Sequence, residues 1–206
     1  MSANHEARKG LVSRLAPELR GHGVVLTPCE VDDAPALAAA AAATPDDAFR
    51  WTFVDRDADA MRATIEGFAT TGRYIYTVRA DGKVLGQTGY YDLDFWIDRP
   101  EPTAAEVGHT WYVPEVRGTT VNPACKLLLF THAFETWGVE RIAMRTDARN
   151  AASRAAMLKL GMTFEGIRRR HMIAADGTLR DSAYFSAVAP EWPAIKRGLE
   201  ARLSRY

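Results

Sequence analysis

Apolar and polar positions alternate along the chain in two distinct periods, and the changes of period divide it into elements. Val24-Val25-Leu26 is a short apolar run ended by Thr27-Pro28, which predicts a strand. Asp32 or Asp33 can then cap a helix through the alanine-rich run to Ala43, and Thr44-Pro45-Asp46-Asp47 breaks it. Met61, Ile65 and Phe68 recur at helical spacing in a second helix over 57–70, with Gly72 as its stop. The period then shortens to two. Residues 74–79 and 84–91 read as strands joined by Asp81-Gly82, a strong hairpin signal. After an irregular, aromatic-bearing excursion over 92–102, the pattern predicts a strand over 105–113, a helix over 122–137, a strand over 141–146 and a helix over 150–160 with Gly161 just past its end. Residues 162–172 and 179–188 form a last hairpin around Asp176-Gly177, and Pro190-Glu191-Trp192-Pro193 opens a helix in which Ile195, Leu199 and Leu203 recur every fourth position.

Composition narrows the class. A chain of 206 residues with 5 Trp, 7 Tyr and 8 Phe can build one substantial core. The order of elements divides it into a polar N-terminal extension over 1–20, a single domain over 21–190 and a C-terminal helix over 191–206. Lys+Arg and Asp+Glu both count 26, so no bulk field draws nucleic acid or an anionic membrane surface. Cys29 and Cys125 stand far apart without metal-ligand spacing, so neither a disulfide framework nor a metal site is implied. The polar start MSANHEARKG has no apolar signal region and no apolar run approaches about 18 residues, so the expectation is a cytoplasmic protein without a membrane span.

The segment 106–171 carries the chemistry. Arg117-Gly118-Thr119-Thr120-Val121-Asn122 lies between a strand and a long helix. Gly118 can adopt a positive φ, Asn122 is a favoured N-cap and Pro123 suits the first helical position. Unpaired amides over 118–122 and the helix dipole make a site for a pyrophosphate. Downstream, Asn150 caps a second helix and Ser153 falls in its first turn, followed by Leu160-Gly161-Met162-Thr163-Phe164-Glu165-Gly166.

This series resembles the acyl-CoA site of the GNAT N-acyltransferases, in particular the RimJ/RimL-like branch, over roughly 22–190. The phosphate motif of that family is Q/R-x-x-G-x-G/A; Arg117 fits it, whereas Thr120 and Asn122 depart from its glycine positions. The 160–166 run resembles the family's LGF-x-x-x-G ending. The resemblance implies an α/β (α+β) GNAT fold, with a mixed central sheet flanked by helices and a C-terminal amphipathic helix. It also implies acetyl-CoA as cosubstrate and direct transfer to a primary amine, on a protein N-terminus or a small molecule. Succinyl or other acyl transfer, or a catalytically silent acyl-CoA-binding module, are the alternatives. The main chain of Trp111, Tyr112 and Val113 is then expected to pair with the pantetheine arm, together with the Asn150 side chain. Ser153 is the candidate proton donor to the departing thiolate.

The base that deprotonates the acceptor ammonium is sought on the strand leading into the phosphate turn, at Glu106 or His109, with a water relay as the third possibility. Regular alternation puts Glu106, Gly108 and Thr110 on one face and Val107, His109 and Trp111 on the other; a bulge would change that parity. Trp51, Tyr90, Tyr91, Phe95 and Trp96 are candidates for the acceptor pocket. Arg168-Arg169-Arg170-His171 is a basic run suited either to solvent or to an anion. The apolar stripe of the C-terminal helix is expected to bury itself on its own domain or in a homodimer.

Overall fold

The computed structural model describes residues 16–205. Eight strands form one sheet: β1 (Leu19–Gly21), β2 (Val24–Pro28), β3 (Tyr74–Ala80), β4 (Lys83–Asp94), β5 (Ala104–Tyr112), β6 (Arg141–Asp147), β7 (Thr163–Ile173) and β8 (Leu179–Val188). Their spatial order is β1-β2-β3-β4-β5-β6-β8-β7, with β5 and β6 parallel and every other pair antiparallel. Five α-helices accompany them: α1 (Ala34–Ala42), α2 (Ala58–Thr70), α3 (Val121–Thr131), α4 (Ala151–Lys159) and α5 (Trp192–Leu203). The expected mixed α/β sheet with a C-terminal helix is therefore observed.

Local signals act where they were read. Asp81 and Gly82 take φ of 48° and 73°, the pair of positive values a two-residue hairpin turn needs. Asp57 caps α2 by accepting from the amides of Asp59 and Ala60. Gly161 follows α4 at φ 89°. Three boundaries differ from expectation. Leu19–Gly21 pairs with Val24–Leu26 and Ala16 is buried, so residues 16–20 belong to the domain rather than to an extension; residues 1–15 lie outside the described residues. A three-residue strand shows too little alternation to be read. Helix α3 starts at Val121, before the Asn122 cap read from sequence, which leaves Pro123 within the first turn, where its missing N–H costs no bond. Beyond Thr131 it continues as a π-helical stretch, His132–Trp137, which Gly138 ends at φ 65°.

Two cores sandwich the sheet. On one face Phe130, Leu127 and Leu129 of α3, Met157 of α4 and Ile195 and Leu199 of α5 pack with Tyr76, Tyr90, Val107, Ile142 and Phe185. Trp192 stacks on Phe134 with ring centroids 5.3 Å apart, and Lys196 pairs with Glu135 at 2.7 Å, so the apolar stripe of α5 is spent within the chain. On the other face α1 and α2 pack Leu37, Met61, Ile65 and Phe68 over Ile75 of β3 and Trp111 of β5. No residue of β6, β7 or β8 joins that second cluster, so helices cover this face over only half the sheet.

Candidate active site

The chemistry collects where the one parallel pair comes apart. Strand β5 pairs with β6 only at Ala104, Ala105 and Glu106, opposite Arg141, Ile142 and Ala143; beyond Glu106 it runs on without a partner on that side. The resulting split opens toward α3 and α4. At its end the turn over 117–120 leads into α3. Gly118 takes φ 76° with open space where a side chain would be, and the amides of Gly118, Thr120 and Asn122 make no hydrogen bond among the described residues. Thr119 both donates to the Val116 carbonyl at 2.7 Å and accepts from the Val121 amide at 3.3 Å. Free amides at a helix N-terminus fit a pyrophosphate. Arg117 is committed elsewhere: its guanidinium donates to the Tyr112 carbonyl at 2.9 and 3.1 Å and to that of Ala48 at 3.4 Å, tying the turn to the α1–α2 loop.

Not all of the expected pantetheine partners are available. The Val113 amide donates to the Leu85 carbonyl and the Tyr112 carbonyl accepts from Arg117; the Trp111 indole, a side-chain group, donates to Gln87 at 2.8 Å within the core. Because pairing with β6 stops at Glu106, the unpaired edge of β5 starts at Val107, nearer Glu106 than expected. Across the split, Asn150 caps α4, its Oδ1 accepting from the Ser153 amide at 3.0 Å. Ser153 is half-buried, and its hydroxyl makes no hydrogen bond among the described residues, which leaves it available as a donor. Asn150→Ala removes the cap, and we expect a loss of about 1 kcal/mol of stability in urea titration. A loss within error of zero would mean the cap is redundant.

Alternation along β5 fails at His109, and the failure builds the site. Gln87 faces Trp111 and Gly89 faces Gly108, so His109 and Thr110 together oppose the single residue Thr88. His109 takes φ 49°, an uncommon value for a side-chain-bearing residue. The bulge turns His109 against Phe68 of α2 at 5.1 Å between rings, while Thr110 faces the opposite core and bonds Lys126. Glu106 and His109 thus share one face, where a regular strand would have separated them.

Glu106 is 5% exposed. Its Oε1 accepts from the Tyr91 hydroxyl at 2.6 Å and its Oε2 from Arg145 at 2.7 Å. Burial raises its carboxyl above the ordinary range, and Arg145 and Tyr91 pull it back. Burial acts oppositely on His109, which falls to about 4, with Arg73 adding to the drop. His109 is thus neutral at pH 7 and a poor proton acceptor. Gly108 is required by this arrangement, since a Cβ there would lie 2.4 Å from the Tyr91 hydroxyl.

The aromatic candidates separate. Tyr91 lies over Glu106, with the Arg145 guanidinium 5.1 Å from its ring. Trp51 is half-buried between the guanidinium groups of Arg50 and Arg149, 4.9 and 4.8 Å from its ring. Phe95 and Trp96 are exposed in the β4–β5 connection. Tyr90 is a correction: it points into the opposite core, fully buried, and donates to the Leu129 carbonyl at 2.6 Å. Arg168, Arg169, Arg170 and His171 lie inside β7 rather than at a strand end, and β7 bulges between Arg168 and Met172. Tyr91, Arg145 and Gly108 were not singled out in the sequence as partners of Glu106. Their only signal there is a Gly within a strand, which marks a close approach.

A split parallel pair, a free-amide turn at one end of it and a buried carboxylate beside it make up the candidate site. The profile of the Acetyltransferase (GNAT) domain matches residues 24–163. The chain is 30% identical over 116 residues to "Putative ribosomal N-acetyltransferase YdaF" of Bacillus subtilis, a match spanning 56% of this chain and 60% of that protein. It superposes on a GCN5-related N-acetyltransferase from Brucella melitensis with TM-score 0.80 and 26% identity, over 90% of this chain and 85% of that one. Mycobacterium smegmatis RimJ, solved in complex with CoA-disulfide, shares the fold at TM-score 0.75 and 24% identity, over 90% of this chain and 92% of that one. The chain belongs to the GNAT acetyltransferase family. Among the described residues, no helix is long and apolar enough to cross a membrane.

Proposed function

We propose that the protein transfers an acetyl group from acetyl-CoA to a primary amine directly, without an acylated side chain. The observation that carries this reading is the opening of β5 from β6 immediately after Glu106, with free amides at one end of the gap. Acetyl-CoA supplies the activated thioester. The amides of Gly118, Thr120 and Asn122 hold its pyrophosphate, and the Asn150 end of α4 borders its pantetheine arm. Glu106 receives the acceptor's proton, because burial moves its carboxyl toward useful basicity and moves His109 away from it. Each Glu106 oxygen accepts one hydrogen bond, from Tyr91 or Arg145, and keeps a further lone pair for that proton. Ser153 donates to the leaving thiolate.

The test is acetyl-CoA turnover against a panel of amines, read as thiol release, together with coenzyme A binding measured by thermal shift. Coenzyme A at 100 times its Kd should add about 2.7 kcal/mol of stability. Ser153→Ala should lower kcat about tenfold or more with coenzyme A affinity retained, because a donor to the thiolate acts in the transition state. Coenzyme A binding without turnover on any amine would instead identify a silent binding module. Wild-type kcat in Ser153→Ala, with chemistry rate-limiting, would remove the acid role.

A further inference from the structure

Beside the split, the face of β6, β8 and β7 that no helix covers carries a polar platform. Arg145 pairs in register with Tyr184, and Asp147 with Ser182, so these side chains share the Glu106 face, and Arg180 follows two residues before Ser182. Most charges here are matched. Arg141 grips Glu165 at 2.5 and 2.6 Å; Arg145 holds Glu106 and Asp92; Arg149 holds Asp147 at 2.8 Å and Asp176 at 3.1 Å. Asp181 is spent on the Arg170 amide at 2.7 Å.

Among the described residues Arg168, Arg169 and Arg170 of β7 and Arg180 of β8 form no ion pair, although Asp147 acts on Arg180 at longer range. Arg180 is half-buried and uses only Nε, which donates to the Ser182 hydroxyl at 2.9 Å, so its four remaining N–H groups are uncommitted. The same hydroxyl meets His171 Nδ1 at 3.0 Å, and Tyr184 stands 3.4 Å from His171 Nε2. This His171 is held below its ordinary range by burial and by the charges of Arg168, Arg145 and Arg180. Arg180 also acts on Glu106, which places it within electrostatic reach of the reacting end of the site. Like charges gathered around this imidazole and the Ser182 hydroxyl favour an anion between them.

We propose that Arg180 and Arg168 bind a carboxylate carried by the amine acceptor, beside His171, so that preferred acceptors are acidic chains, with Asp or Glu just after a free N-terminus. This rests on the acetyl-transfer reading above and deepens it. Charge complementarity at this platform selects the acceptor, while the Glu106 cluster serves the chemistry common to all acceptors.

The experiment measures kcat/KM of the full-length protein with saturating acetyl-CoA for the peptides Ala-Glu-Asp-Ala and Ala-Gln-Asn-Ala, both C-terminally amidated. A preference of about tenfold or more for the acidic peptide is expected, falling steeply with salt. Arg180→Gln should bring the ratio of the two within about twofold, and Arg180→Lys should keep part of it, since a point charge replaces a fork. A wild-type ratio near one, or a ratio unchanged in Arg180→Gln, overturns the proposal. So does a result in which Arg180→Gln selectively lowers turnover of succinyl-CoA over acetyl-CoA with the neutral peptide, since the bound carboxylate would then be the donor's. If neither peptide is acetylated, calorimetric titration of each into the coenzyme A-bound protein separates the two readings. Tighter binding of the acidic peptide, lost in Arg180→Gln, upholds the anion site while acetyl transfer fails; equal binding overturns the anion site.

Discussion

Arg145→Met is expected to destabilise the fold by about 3 kcal/mol at pH 7, the low end of what breaking a buried ion pair costs. The low end applies because the Arg145 side chain is 21% exposed, so some water reaches the gap, whereas Glu106 is 6% exposed at its side chain. Without the guanidinium, Glu106 keeps only the Tyr91 hydroxyl, a neutral donor, against full desolvation. The pH dependence identifies the cause. Losing Arg145 raises the folded-state pKa of Glu106 further above its unfolded value, so the folded state holds a proton that the unfolded state has released. Stability of the variant is therefore lost as pH rises from about 4.5. The variant's deficit should shrink on acidification toward about pH 5, and adding Glu106→Gln should recover most of it at pH 7. His109 works in the other direction: its folded pKa is depressed to about 4, so its contribution is lost as pH falls below its unfolded value, in both proteins alike. The difference in unfolding free energy between variant and wild type, measured by urea titration at several pH values, cancels that background. A deficit constant from pH 5 to 8 would mean that Arg145 acts by packing alone.

Lys126→Met is expected to stabilise the protein. Lys126 is 1% exposed, and its ammonium donates only to the hydroxyls of Thr88 and Thr110, each at 2.9 Å. Burial depresses it from 10.5 to about 8. That shift corresponds to roughly 3 kcal/mol for keeping the charge inside at neutral pH. Methionine fills a similar volume without the charge, and the two threonines remain bonded to each other at 2.8 Å. A gain of about 1–3 kcal/mol is expected at pH 7. The sign follows from linkage: between about pH 8 and 10.5 the unfolded lysine holds a proton that the folded one has released, so wild-type stability rises with pH over that window. The advantage of Lys126→Met should shrink accordingly. Cys29 and Cys125, both raised to about 11 by burial, lose stability over the same alkaline range, so the variant must be read against wild type at each pH. Destabilisation at pH 7 with an unchanged pH profile would show that the lysine's hydrogen bonds outweigh its desolvation.

These two side chains also mark the limit of sequence reading. Lys126 stands in VNPACKLLLF, where a lone lysine reads as the polar edge of a helix; only the packing of α3 against β4 and β5 buries it. Glu106 was legible as a candidate base, but not its two donors, which arrive from 15 and 39 residues away. Tyr90 and Tyr91 are adjacent and chemically alike, and the pleat sends one into the core and the other over Glu106.

What the amino-acid order alone determined is what a few neighbouring residues decide: the Asp81-Gly82 hairpin, the Asn150 cap, the Gly161 stop, the positive φ of Gly118 and the succession of strand and helix. Each depends on backbone sterics or on one hydrogen bond within a turn, and no distant partner is needed. The tertiary structure alone decided where β5 leaves β6, and that His109 bulges onto the face of Glu106. It also decided that Arg117 turns inward to Tyr112, and that Arg180 stands outside the ion pairs among the described residues. Those outcomes depend on register and on competition between side chains from separate strands for one buried space, and periodicity along a single segment carries no record of them.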